Sequence, residues 1–162
     1  MLSSPIRAFT STYPSLSKKL INEAVVGYNK QELTVRAQWD TGATTTCISK
    51  DVVSHLNLIP IGSRQISTPS GSSVVNTYIL DIKLLNNVTI PQLIVCETEI
   101  GDQGIGLLVG MDIIGLGDFA VSNWGGKTIF TFRTPSQRIT DYAKQLSVQN
   151  VIGSLHGKKH RK

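Results

Sequence analysis

Leu33-Thr34-Val35-Arg36-Ala37-Gln38-Trp39-Asp40-Thr41-Gly42-Ala43 is the stretch that decides how this chain folds. From Leu33 to Trp39, apolar residues hold the odd positions and polar ones the even positions. That is the period of a half-buried strand. Asp40 continues the polar parity. Thr41 is β-branched, so it holds one rotamer while offering a hydroxyl. Gly42 lets the backbone turn sharply and brings a bare N–H close to the carboxylate. The sequence therefore holds an acid in a hydrogen-bonded turn at the end of a packed strand. An Asp-Thr-Gly alone is also an ordinary turn, so its meaning depends on the segments C-terminal to it.

Two later segments supply that context. Ile66-Ser67-Thr68-Pro69-Ser70-Gly71-Ser72-Ser73-Val74 has turn chemistry at its centre. It leads into Tyr78-Ile79-Leu80-Asp81-Ile82-Lys83-Leu84, where Tyr78, Leu80, Ile82 and Leu84 share one face. Pro69 suits a turn and cannot donate within a central sheet, and Gly71 with its serines suits an exposed tip. This predicts a long hairpin. Further on, Leu107-Leu108-Val109-Gly110-Met111-Asp112-Ile113-Ile114-Gly115 reads as a short apolar strand, a glycine, and one or two helical turns.

These three elements, in this order, resemble the retropepsin-like aspartic proteases over roughly Ala24 to Arg133. The family pattern is apolar-Asp-Thr/Ser-Gly-Ala, a flap hairpin, then apolar-apolar-Gly-x-Asp/Asn-apolar-apolar. Viral members often carry an acid directly after Asp-Thr-Gly-Ala and an arginine inside the later motif, and the two interact. This chain has Thr44 and Met111 there, so neither is left as an unpaired charge, and the chain is more similar to cellular than to viral members. The resemblance implies an all-β, closed barrel-like fold with a flap hairpin and one or two short helices. It implies an aspartic endopeptidase with Asp40, Thr41 and Gly42 as catalytic residues. Ala43, Thr44, Ser70, Gly71 and Ser72 would contact the peptide substrate. Thr41 would lock two active-site turns together, and the Gly42 N–H would help hold the carboxylate. No metal and no cofactor are expected.

Only one Asp-Thr/Ser-Gly occurs in the chain. An aspartic protease needs two carboxylates across one water, and Asp112 opens a helix without the turn chemistry of Asp40. The expected enzyme is a homodimer with one Asp40 from each subunit. The alternative is a catalytically weak or inactive module of the same fold that dimerises or binds peptides. A third reading, an unrelated β-barrel binding nucleic acid through its tail, predicts strongly salt-sensitive binding instead.

With 162 residues the chain has room for one core and little more. Its 40% hydrophobic and 17% charged content suits a soluble β-rich fold. No apolar run reaches membrane-spanning length. The formal charge of +5 is concentrated in Lys158, Lys159, Arg161 and Lys162, and removing those four leaves +1. The basicity belongs to a tail, read as solvated, and nucleic acid is not the expected partner. Residues 1–22 are rich in serine and threonine and contain no acid. Organelle transit peptides share that composition, and a flexible arm is the plainer reading. They lack the apolar core of a secretory signal, so the expected compartment is the cytoplasm. There, Cys47 and Cys96 would be buried free thiols. Asn87-Val88-Thr89 matches a glycosylation acceptor by chance. No cluster of His, Cys and Asp has metal-ligand spacing.

The expected domain is 23–134, followed by a weakly helical extension, 135–162, that ends in the basic tail. Its strands are Glu23 to Tyr28 and Glu32 to Trp39 around an Asn29-Lys30-Gln31 turn, then Thr45 to Ile48. Ser49 is the expected N-cap of a helix, Lys50 to Leu56. Arg64 to Leu84 is the flap region, and Thr89 to Cys96 a strand interrupted by Pro91. Phe119 to Ser122 and Thr128 to Phe132 form a hairpin. Arg138 to Val151 has weak helical patterning outside the core.

Overall fold

The computed structural model describes residues 5–68, 71–100 and 104–149. Among these, the chain forms ten strands: β1 (Arg7–Tyr13), β2 (Leu20–Tyr28), β3 (Gln31–Trp39), β4 (Cys47–Ile48), β5 (Gly62–Thr68), β6 (Gly71–Lys83), β7 (Thr89–Glu97), β8 (Leu107–Val109), β9 (Asp118–Trp124) and β10 (Lys127–Thr134). Two short helices interrupt them, α1 (Lys50–His55) and α2 (Met111–Ile114). The fold is all-β, as the strand patterning and the resemblance imply. No helix among the described residues is long and apolar enough to cross a membrane.

The main sheet runs β2-β3-β8-β4-β7-β6-β5, and β2 also pairs with β6. That extra pairing, Val25↔Lys83 through Gly27↔Asp81, closes six strands into a ring and leaves β5 outside it as the flap's outer strand. Closure removes most of the sheet's open edges. The parity read before Asp40 sets which face is which. Trp39 lies opposite Val109, and Ile48 opposite Leu107; all four are buried. Gln38, Leu108 and Cys47 form the neighbouring row on the other face.

A second sheet, β1-β10-β9, covers the core from below. Phe9, Phe130 and Phe132 pack there against Trp39, and Phe119 stacks on Trp39 with ring centroids 5.6 Å apart. The same indole donates from Nε1 to Asn22 Oδ1 at 3.0 Å. An aromatic cluster thus clamps the residue immediately before Asp40.

Several boundaries differ from the sequence reading. The flexible arm assigned to residues 1–22 instead contains β1, paired with β10 from Arg7↔Thr134 to Tyr13↔Thr128. Phe9 is the one buried aromatic of that strand, and a single buried ring is too weak a periodic signal to read in advance. The β2–β3 turn needs only Asn29 and Lys30, both at positive φ. β4 is two residues long because Thr46 is held by hydrogen bonds outside the ladder. Pro91 does not break β7; the β6–β7 register shifts between Leu80 and Ile82, and Gln92 at positive φ donates its N–H to Asp81. The last hairpin extends to Trp124 and Lys127 around Gly125-Gly126. Ser49 caps α1, accepting from the Val52 N–H. A helix over 142–149 lies exposed, and Val151 falls outside the described residues.

Candidate active site

Asp40 leaves β3 as the chain turns out of the sheet. Its own N–H donates to the Val109 carbonyl at 2.9 Å, which ties the turn to β8. The Gly42 N–H donates to Asp40 Oδ1 at 2.8 Å, and the Ala43 N–H to the Asp40 carbonyl at 3.2 Å. Asp40 is half-buried, whereas Thr41 and Gly42 are exposed. The Thr41 hydroxyl has no hydrogen-bond partner among the described residues.

The rest of the loop is held from the α2 side. The Met111 N–H donates to the Ala43 carbonyl at 2.8 Å. Asp112 accepts from the Thr46 N–H at 2.8 Å and from the Thr46 hydroxyl at 2.6 Å. That hydroxyl in turn accepts from the Gly110 N–H at 3.1 Å, and Thr46 is fully buried. Gly110 is there because nothing larger fits: a Cβ would lie 2.7 Å from the Thr45 carbonyl carbon. Residues 40–46 are therefore stapled along their length to the Val109-Gly110-Met111-Asp112 segment.

Among the residues expected to meet substrate, Ala43 and Thr44 lie on this loop, half-buried and exposed respectively. Gly71 and Ser72 begin β6 opposite Thr68 and Ser67, at the described end of the flap hairpin. Ser70 lies outside the described residues. The flap hairpin touches the loop beyond Asp40 through Arg64, and a hollow of about 540 Å³ beside the hairpin is lined by Ile66, Val75, Glu97 and Glu99 without Asp40. Asp112, set aside as a second acid by sequence reasoning, is a positioning residue. Its partner Thr46 lies 66 positions earlier, so no local signal marks it.

The two cysteines lie in register on β4 and β7. Burial, with Cys96 and Asp112 adding to it, pushes the Cys47 thiol up to about 12. It remains a neutral thiol and offers no nucleophile.

A sequence profile described as aspartyl protease matches residues 24–113, more than half of the chain. No curated protein matches the sequence. Among solved structures, a retropepsin-like aspartic protease from Rickettsia conorii is similar at 14% identity and a TM-score of 0.51, over 83% of this chain and 98% of that one. The EIAV protease, solved with the inhibitor HBY-793, matches at 20% identity and a TM-score of 0.48, over 62% of this chain and 88% of its own. At such identities the likeness to the Rickettsia protein is one of fold. The profile covers the Asp40 turn, the flap hairpin and the Gly110-Met111-Asp112 staple together, and on that match the chain belongs to the aspartyl protease family with a retropepsin-like fold.

Proposed function

We propose that the chain is an aspartic endopeptidase whose active site is completed in a homodimer by the Asp40 of a second copy. The observation that carries this reading is the Asp40 turn. One carboxylate is held by the Gly42 N–H and its loop is braced by α2. Beside it, Thr41 is exposed, and its hydroxyl has no partner among the described residues. A two-fold axis through that turn would bring the two carboxylates across one water and give each Thr41 a partner.

The chemistry follows from crowding two acids. Like charges a few ångströms apart do not both ionise cheaply, so the pair keeps one proton. The ionised member takes a proton from the water, which attacks the peptide carbonyl while the protonated member donates toward the carbonyl oxygen. No covalent intermediate forms. The flap hairpin would close over an extended peptide, adding strand-like hydrogen bonds and excluding water.

Asp40→Asn tests the assignment. The amide fills the same space but cannot act as base, so cleavage of a peptide library should fall by more than about a hundredfold with the melting curve preserved. Relief of charge repulsion should leave the mutant dimer at least as stable as the wild type. Sedimentation and cleavage measured over one dilution series complete the test. Specific activity should fall as dimer dissociates, and constant specific activity in a monomeric sample would rule out the shared site.

A further inference from the structure

We infer that Arg64 is a specificity-determining residue, and that the substrates are peptides carrying an acidic side chain near the scissile bond. This rests on the protease reading above and names its substrate class.

The placement follows from sheet register. Gln38 pairs with Leu108, Leu108 with Cys47, Cys47 with Cys96, Cys96 with Thr77, and Thr77 with Gly62. Residues in register share a face, so these six form one row across the sheet. Asp40 follows Gln38 by two residues; Arg64 follows Gly62 by two and shares the row's face, but β5 runs antiparallel to β3, so Arg64 starts from the opposite side of the row. Arg64 Nη1 then reaches across to Thr45 Oγ1 at 3.3 Å, on the loop leading out of Asp40. The guanidinium lies close enough to Cys96 to act on its thiol.

The charge there is not neutralised from within. Arg64 is exposed and makes no ion pair among the described residues. Beyond Asp40 itself, the loop 41–46 carries threonine hydroxyls and no carboxylate, and the Asp112 carboxylate is occupied by Thr46. Glu97 accepts from the Tyr78 hydroxyl, and Glu99 pairs with Lys50. The remaining row positions, Gln38, Leu108, Cys47, Cys96 and Thr77, are uncharged. A cationic fork with five donors and one weak hydroxyl partner, held beside the loop that leads out of Asp40, matches a carboxylate. A symmetric dimer would supply one Arg64 from each subunit, so the acidic preference is expected at equal distances on both sides of the cut.

The test uses the full chain and eight-residue fluorescein-labelled peptides, identical except for a Glu walked through each position, with an all-Gln control. Binding is measured by anisotropy on the Asp40→Asn protein, which separates recognition from hydrolysis, and cleavage is measured on the catalytically intact protein. Glu at the preferred positions should strengthen binding about tenfold over Gln, the scale of a charge-assisted hydrogen bond. Arg64→Gln should erase that preference, and Arg64→Glu should transfer it to Lys at the same positions. All-Gln binding, measured for each variant, is the baseline from which the Glu preference is taken. Added salt should weaken the preference, because the site is exposed. Arg64-dependent binding without any cleavage would overturn the hydrolysis reading and keep this one. An unchanged profile in both Arg64 variants, or no binding of any peptide, would overturn it.

Discussion

Replacing Thr46 with valine removes one oxygen from a buried site and should loosen the active-site loop more than any other single change of that size. The hydroxyl donates to the Asp112 carboxylate at 2.6 Å and accepts from the Gly110 N–H at 3.1 Å. Losing a hydrogen bond to a charged group costs about 1.5–3 kcal/mol, and stranding a buried N–H costs about 1–3 kcal/mol more. Valine has nearly the same shape, so no cavity offsets or adds to that loss. A net destabilisation of about 3 kcal/mol is expected, a large share of the ~5–15 kcal/mol that holds a typical domain. For a chain of this size that is a fall in melting temperature of about 6–12 °C. Urea unfolding should show a lower midpoint with an unchanged slope. Combining Thr46→Val with Asp112→Asn should cost less than the sum of the two, since both remove the same bond. kcat should fall at protein concentrations where the dimer is saturated, because the loop carries Asp40. A Thr46→Val stability within about 0.5 kcal/mol of wild type, or strict additivity in the double mutant, would refute the staple.

Two further changes probe other parts of the molecule. Gly71 sits at φ +128, and a Cβ placed there would meet no heavy atom within 4 Å, so Gly71→Val should strain the hairpin locally by about 1 kcal/mol while slowing turnover far more; a collapse of the melting temperature would mean the segment belongs to the core. Hydrogen bonds from Ser136, the Gln137 N–H and Arg133 hold the Asp118 carboxyl well below the usual carboxylate range. A depressed folded-state value stabilises above the ordinary carboxylate pKa and loses that stabilisation as pH falls through the folded value. Asp118→Asn should therefore melt below wild type by the same margin at pH values of about 7 and 5, with the gap narrowing only below about 4. A gap that widens on acidification would overturn that assignment.

The core elements are legible in the sequence because each has a strong local signal. Odd-even patterning marks β3, Tyr78-Leu80-Ile82-Leu84 marks β6, and Ser49 marks the start of α1. The Asp40-Thr41-Gly42 turn is legible because turn chemistry and a family pattern coincide in one short motif. Features that depend on distant partners escape such a reading. β1 has a single buried aromatic, Phe9, and exists as a strand only because β10 receives it. Arg64 reads as an ordinary surface cation until the fold lets its side chain reach Thr45, 19 positions earlier. Asp112 reads as inert because its partner Thr46 lies 66 positions earlier in the chain.

The β1–β10 pairing joins the chain's opposite halves, with the Thr131 hydroxyl reaching the Phe9 carbonyl 122 residues away. Proteins are made from the N-terminus at roughly 5–20 residues per second, so β1 waits on the order of ten seconds for its partner to be synthesised. Asp40 waits as well, since Val109, Gly110 and Asp112 must emerge before its loop is braced. A nascent chain still on the ribosome thus carries the acid without the scaffold that aims it. The order of translation itself leaves the Asp40 loop unbraced until the residues through Asp112 have been made.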